Sequence, residues 1–350
     1  ERNGVVSKDA ERQTVAGFLA TWLVGKQGTV RANTQKRYGE LLKHVMDSDI
    51  GKVKLSALRS TQLNAFYAQL LAQHLTQKGQ TTRTLSPRTV HHVHVVLHTA
   101  LRDAVKDDYV SNNVCDKTKR LRVPRAKTYT PNADEMKRLL VKAAEAGDRF
   151  LPLWRIAMLT GARLGELLGL QWQDIDFDAK TVMIRRTLLQ STRNGKPDFG
   201  EPKSEQSRRT LPLIPDALDA LRQHRQEQLE QRLLLGSDYA NHDLVFATHT
   251  GTPLSHRNCL HAFKLALSRA GLPDSIRIHD LRHAAATFWL KAGVPLKVVS
   301  ILLGHSGVGI TANTYTHAVV GLEIEAVEKL GRVISILSLI HISEPTRQAE

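Results

Sequence analysis

The sequence predicts a mainly α protein of two domains: an N-terminal helical bundle, followed by an α+β domain that carries a small antiparallel sheet. Three observations lead there. A length of 350 residues is what two domains of about 150 residues need. Apolar residues recur at helical spacing along most of the chain, and one stretch, 172–190, alternates instead. Between the halves lies 117–127 (KTKRLRVPRAK), with six basic residues, one Pro and little to bury, which reads as a linker.

The elements follow in order. In 11–24 (ERQTVAGFLATWLV), Val15, Phe18, Leu19, Trp22 and Leu23 share one helical face. A second helix over 34–46 is marked by Tyr38, Leu41, Leu42, Val45 and Met46, and a third, capped by Ser60, by Leu63, Phe66, Tyr67, Leu70 and Leu71. The polar run 76–84 (TQKGQTTRT) reads as a loop. Ser86 then serves as N-cap and Pro87 as first residue of a long helix to about Asp107. In the second half, helices are expected near 132–146 and 150–160. The alternating segment 172–190, the Asn194-Gly195 turn signal and the strand 209–213 (RTLPL) make the sheet. Further helices are expected at 215–235, 255–270, 280–291, 295–303 and 318–330. The expected boundaries are 10–115 for the helical domain, 116–130 for the linker and 131–335 for the second domain. Residues 337–347 (LSLIHISEPTR) look like the translated transposon end and adapter of a sequencing library, so 337–350 is expected to be a non-native tail. The chain lacks a starting Met and is expected to be an N-terminally clipped piece.

Composition excludes several classes. With 41% hydrophobic and 24% charged residues the chain is neither disordered throughout nor collagenous. Two distant cysteines, Cys115 and Cys259, supply no CxxC zinc site and no disulfide framework, which points to a reducing compartment. No run of 18 apolar residues spans a membrane, and 1–30 lacks the pattern of a signal peptide, so a cytoplasmic location is expected. The net charge is +15, and it is lopsided: residues 1–128 hold 22 basic and 10 acidic side chains, against 27 and 24 in the rest. A basic first half calls for a polyanion partner. Aromatic residues, at 5%, are too few for a stacking platform, which favours duplex over single-stranded nucleic acid.

The most informative segment is HDLRH (279–283) with the following AAATFWLKAGVPLKVVSILLGHSGVGITANTYTHA (284–318). His279 and Arg282, three apart at a helix start, share a face. Gly304-His305 closes an apolar helix, and Tyr315 follows in a polar stretch before the next helix. Upstream lie TGARLGELLGL, with Arg163, and EPKSEQSRRTLPL, with Lys203 in a hairpin turn. This ordered set resembles the tyrosine recombinase (phage integrase) family: Arg, then Lys, then H-x-x-R, L-G-H and Tyr. The helices of the first half, including SPRTVHHVHVVLHTALRDAV, resemble that family's core-binding domain.

The resemblance implies a site-specific recombinase that integrates or excises a phage or other mobile element, with six catalytic residues: Arg163, Lys203, His279, Arg282, His305 and Tyr315. It implies a clamp of two domains around double-stranded DNA attachment sites, a homo-tetramer on DNA passing through a Holliday junction, and accessory DNA-bending or directionality proteins in a bacterial nucleoid. The chemistry is coherent. A phosphodiester repels nucleophiles, and two guanidiniums, Arg163 and Arg282, bind its oxygens and favour the more charged transition state. Tyr315 attacks as a phenolate, which from a free pKa of about 10 needs nearby cations or a base. His279 accepts or positions its proton, His305 donates to the phosphate, and Lys203 protonates the leaving 5′-oxygen. The resulting 3′-phosphotyrosyl link stores the bond energy, so no ATP is needed, and the chain has no GxxxxGK[ST] loop. Glu166 is expected to buttress Arg163. Tyr239 lacks the flanking pattern of a nucleophile. His91, His94 and His98 lie on one helix without an evident fourth ligand, so a solvated or groove-facing surface is expected there, not a metal site. Acidic residues form no evident cluster for two metals, and no cofactor is expected. The rival readings are a type IB topoisomerase and a catalytically inactive DNA-binding regulator.

Overall fold

The computed structural model describes residues 12–72, 75–77, 80–82, 85–119, 122–123, 129–191, 197–200 and 208–319. The chain divides into two compact units, Glu1–Lys127 and Thr128–Glu350. Lys203, the Asn194-Gly195 turn, most of the expected helix 318–330 and the tail 337–350 lie outside the described residues.

The first unit is built on α1 (Val15–Gly25), α2 (Ala32–Met46), α3 (Asp49–Lys52), α4 (Ser60–Ala72) and α5 (Pro87–Lys106). Leu19, Leu42, Leu63, Val90, Val93 and Leu97, each with no exposed surface, meet in its core. The expected cap is present: Ser86 Oγ accepts the Thr89 N–H at 3.2 Å, with Pro87 in the first turn. Asp103 of α5 joins that helix to α1, taking a hydrogen bond from Trp22 Nε1 at 2.9 Å and an ion pair from Lys26 at 2.8 Å. One expectation is corrected. The polar run read as a loop contains β1 (Leu75–Gln77) and β2 (Gln80–Thr82), paired antiparallel. Its threonines favour extended backbone, but the run has no apolar alternation by which a strand would be read. The α5 histidines find ordinary partners: His94 Nδ1 meets Tyr67 Oη at 3.2 Å, and His98 Nε2 meets Asp116 at 2.7 Å. Among the described residues no group of His, Cys, Asp and Glu could hold a metal ion. No described helix is long and apolar enough to cross a membrane.

The second unit begins with α6 (Ala133–Glu145), opened by a reciprocal cap: Asn132 Oδ1 accepts the Glu135 N–H and Glu135 Oε2 accepts the Asn132 N–H, both at 2.9 Å. Then come α7 (Leu151–Thr160) and α8 (Leu164–Leu168). Strands β3 (Ile175–Asp176), β4 (Thr181–Ile184) and β7 (Arg209–Pro212) form an antiparallel sheet in the order β3-β4-β7, while β5 (Thr187–Ser191) pairs with β6 (Pro197–Gly200). The expected single sheet is therefore two ladders. Side chains alternate as the pleat requires: Val182 and Ile184 point inward, Met183 outward, and in β7 Arg209 and Leu211 point inward. The rest is helical: α9 (Pro215–Leu235), α10 (His256–Arg269), α11 (Ile278–Lys291), α12 (Leu296–Leu303) and α13 (Val308–Val319). Trp154 of α7 packs edge-on against Phe263 of α10, ring centroids 5.1 Å apart, at the centre of this core. A second correction concerns Tyr315, which lies inside α13 at a kink and not in a stretch before a helix.

The α6 cap supports a direct test. Replacing Asn132 by Ala removes one half of the reciprocal pair and is expected to cost about 1 kcal/mol, read as a lowered thermal midpoint of the second unit.

Candidate active site

Two helix ends build the centre of the site. Helix α7 stops at Gly161, in the left-handed region at φ +58. A Cβ there would lie 3.2 Å from Leu303 Cδ2 and 3.3 Å from Trp289, so glycine serves both the turn and the close packing. Helix α12 stops the same way at Gly304, φ +64, where a Cβ would crowd Arg209 Nη1 at 2.9 Å. Helix C-termini carry orphan carbonyls and partial negative charge. Arg282 of α11, only 3% exposed, takes both: its Nη1 donates to the Gly161 carbonyl at 2.7 Å and its Nη2 to the Leu303 carbonyl at 2.6 Å. Burial, then the charge of Arg163, lowers its pKa to about 9, and it stays a cation at neutral pH.

The chain leaving Gly161 brings Arg163 to the start of α8, half-exposed and with extended backbone. Glu166, one turn on and buried, accepts the Arg163 N–H at 2.9 Å and its Nη1 at 2.8 Å. From β7, Arg209 Nη2 donates to the same carboxylate at 2.9 Å, and Arg209 Nε donates to the Leu302 carbonyl at 2.7 Å. Burial alone would raise the Glu166 pKa. The charge and hydrogen bond of Arg209, then those of Arg163, outweigh it and hold the carboxyl below its ordinary value.

The histidines are neutral. His305 is half-buried, and burial, then the charges of Arg282, Arg163 and Arg209, lower its pKa to about 4. His279 keeps an exposed edge, yet desolvation of the ring, then His283 and Arg282 beside it, take it to about 4 as well. His305 Nδ1 lies 2.7 Å from Oγ1 of the fully buried Thr311. The contact fits either tautomer, and in the one where the threonine hydroxyl donates to Nδ1 the ring proton sits on Nε2.

Tyr315 stands at the α13 kink, φ −115 and ψ 18, and is 2% exposed. Its ring packs with Ala286, Leu290, Val299 and Leu303. Its hydroxyl lies 2.9 Å from His283 Nδ1, and His283 in turn sits edge-on to His279, centroids 4.8 Å apart. Burial raises the phenol pKa, and the Arg282 charge pulls it down.

Four of the six expected residues, Arg163, His279, His305 and Tyr315, therefore gather around the guanidinium of a fifth, Arg282; Lys203 lies outside the described residues. Sequence reasoning missed three more. Arg209 opens a strand whose inward positions are otherwise Leu211 and Leu213, so its alternation marked it as an inward-facing cation. His283 is four residues from His279, hence on the same helical face. Thr311 stands four before Tyr315 on α13.

Comparison with known proteins shows the family and the fold. The sequence model of the phage integrase family matches residues 130–320, and that of the phage integrase SAM-like domain matches 14–120. A XerC-like tyrosine recombinase of Caldanaerobacter subterraneus subsp. tengcongensis is 33% identical over 348 residues, covering 94% of this chain and 85% of that protein. An integrase of Streptomyces ambofaciens is 31% identical, covering 86% and 76%. Among solved structures, the Tn1549 transposon integrase in complex with transposon right end DNA superimposes with a TM-score of 0.75 at 20% identity, covering 91% of this chain and 100% of that one. A lambda integrase tetramer bound to a Holliday junction gives 0.61 at 18% identity, covering 86% and 79%. These two show a shared fold.

The neutral histidines fix the sign of a pH effect. The folded pKa values of His279 and His305 lie near 4, below the ordinary 6.5, so the unfolded chain binds protons first as pH falls. Their contribution to stability is complete above 6.5 and declines as pH drops toward 4. Between pH 7.5 and 4.5 the melting temperature is expected to fall more steeply for the wild type than for a His279→Gln, His305→Gln double variant. Parallel curves would mean that both rings are already charged in the fold.

Proposed function

The chain belongs to the phage integrase family of tyrosine recombinases, enzymes that cleave and rejoin DNA, and from that premise we propose that Arg163, Lys203, His279, Arg282, His305 and Tyr315 carry the strand transfer. The observation that bears most weight is the fixed guanidinium of Arg282, with Arg163 and the Tyr315 phenol close enough to act on its charge. Arg163 and Arg282 hold the two non-bridging oxygens of the scissile phosphate. The Tyr315 oxygen attacks phosphorus, the bond to the 5′-oxygen breaks, and Lys203 gives that oxygen its proton. His305, neutral and carrying its proton on Nε2, donates to the phosphate. His279 positions the groups around the phenol. Rejoining runs the same steps in reverse with another 5′-hydroxyl, which needs neither metal nor nucleotide.

The substrate is a double-stranded DNA attachment site of a phage or other mobile element. The lopsided charge of the chain supports a grip by the first unit, which carries 22 basic residues in positions 1–128. The lambda integrase tetramer on a Holliday junction supports a homo-tetramer on DNA as the working assembly. Accessory DNA-bending or directionality proteins complete the proposal, which sets the reaction in a bacterial cytoplasm at the nucleoid.

Tyr315→Phe is expected to bind a duplex selected from random sequence by the wild-type protein with wild-type affinity and to form no covalent adduct, read by denaturing gel with labelled DNA. An adduct in that variant moves the nucleophile elsewhere. With the wild type in excess EDTA, adduct formation is expected at the full rate; a strict divalent-metal requirement would reject the mechanism.

A further inference from the structure

We propose that His283 is the group that takes the phenol proton of Tyr315 when the tyrosine attacks, and that it returns this proton when DNA is rejoined. The inference rests on Tyr315 being the nucleophile, and it assigns a catalytic residue to that same site.

The argument begins with geometry. The Tyr315 hydroxyl lies 2.9 Å from His283 Nδ1, within the range a proton transfer needs. The two rings are held in place from both sides, His283 by the edge-on contact with His279 at 4.8 Å and Tyr315 by its packing against Ala286, Leu290, Val299 and Leu303. His283 sits on the first turns of α11, next to Arg282, so the base and the phosphate-binding cation are carried by one rigid element. His279, on the same face, contacts the His283 ring, while the phenol's hydrogen bond among the described residues goes to His283.

The chemistry requires such a partner. Burial raises the pKa of this phenol, so it does not ionise in advance, and its proton must leave as the oxygen attacks. In the bound state the phenol O–H donates to a bare Nδ1, with the imidazole proton on Nε2. As the Tyr315 oxygen bonds to phosphorus, its proton moves to Nδ1 and His283 becomes an imidazolium. The bond from phosphorus to the 5′-oxygen breaks with its electron pair, and that oxygen takes a proton from the Lys203 ammonium. Charge and protons balance, with one proton taken up by His283 and one given by Lys203. In rejoining, the imidazolium protonates the departing phenolate, and the incoming 5′-hydroxyl gives its proton back to Lys203.

The test uses the full chain and a nicked suicide duplex carrying the site selected from random sequence by the wild-type protein. The rate of covalent adduct formation is measured for wild type, His283→Ala and His283→Gln, with DNA binding measured in parallel. Glutamine keeps a hydrogen-bonding side chain but cannot take the proton, and it covers the case in which the alanine variant does not fold. Both variants are expected to bind DNA and to cleave about 10²-fold or more slowly than wild type. Added imidazole is expected to speed His283→Ala and to leave the wild type unchanged. Cleavage by His283→Gln near the wild-type rate would reduce His283 to a hydrogen-bonding prop and overturn the proposal. Faster cleavage by His283→Ala would make the contact a restraint on a stowed tyrosine and overturn it equally. Mapping the DNA-linked peptide separates the two levels of the argument. An adduct on a residue other than Tyr315 defeats the recombinase nucleophile, whereas a Tyr315 adduct formed at the wild-type rate by His283→Ala defeats the assignment of His283 alone.

Discussion

A guanidinium buried to 3% exposure is the constraint on which the second unit turns. An unpaired charge at that depth is strongly unfavourable, and among the described residues Arg282 hydrogen-bonds to no carboxylate. It is stabilised by the two groups most suited to a cation, the free carbonyls at the ends of α7 and α12. Satisfying them forces three helices to converge. The turn after α7 then delivers Arg163, and the turn after α12 delivers His305. Both turns pass through a glycine in the left-handed region, because a side chain at either position would meet its neighbours within about the distance of a clash. The gathering of the candidate residues and helix termination are thus one arrangement.

The charges around that guanidinium suit the proposed strand transfer. Arg163, Arg209 and Arg282 bring three positive charges, and buried Glu166 cancels one. A phosphodiester carries one negative charge, and the pentacovalent state formed with a phenolate carries two. The residual charge of the described residues therefore matches the transition state better than the ground state, which is the condition for catalysis and not merely for binding. Burial is the first cause of the neutral histidines, and the same surplus adds to it. Cations close to His279 and His305 disfavour a further positive charge on either ring, so both can donate a hydrogen bond from a neutral ring at pH 7.

Much of this was legible in the sequence because the chemistry is carried by residue types at short spacings. His279 and Arg282 share a helical turn, and the glycine before His305 announces a helix end. The helices were legible from apolar periodicity, with Ser86-Pro87 fixing the start of α5. The misses have physical causes. The β1–β2 pairing is made by a polar run whose sequence has no apolar alternation to read. The two ladders of the second unit depend on where the chain turns after Ile184, which composition does not encode. Tyr315 reads as a loop residue since the segment around it is polar; the structure keeps it in α13 by breaking the helix locally at that residue. Arg209 and His283 stand beside stronger motifs, and their roles arise from contacts across the fold, with Glu166 in one case and Tyr315 in the other.

The setting of Tyr315 also bears on reversibility. A sugar hydroxyl is a far weaker acid than a phenol, so in water a phosphotyrosine link would give up its phenolate more readily than a phosphodiester gives up its alkoxide. An enzyme that exchanges strands without an external energy source needs the two links closer in free energy. Burial raises the Tyr315 pKa, which makes the phenolate a poorer leaving group and moves it toward the alkoxide. Arg282 opposes that shift by favouring the anion, and it acts at the moment when charge develops at phosphorus. In the proposed transfer, one side chain is thus held between an apolar pocket that favours the covalent link and a cation that favours its formation, and a phosphoryl group passes in either direction between them.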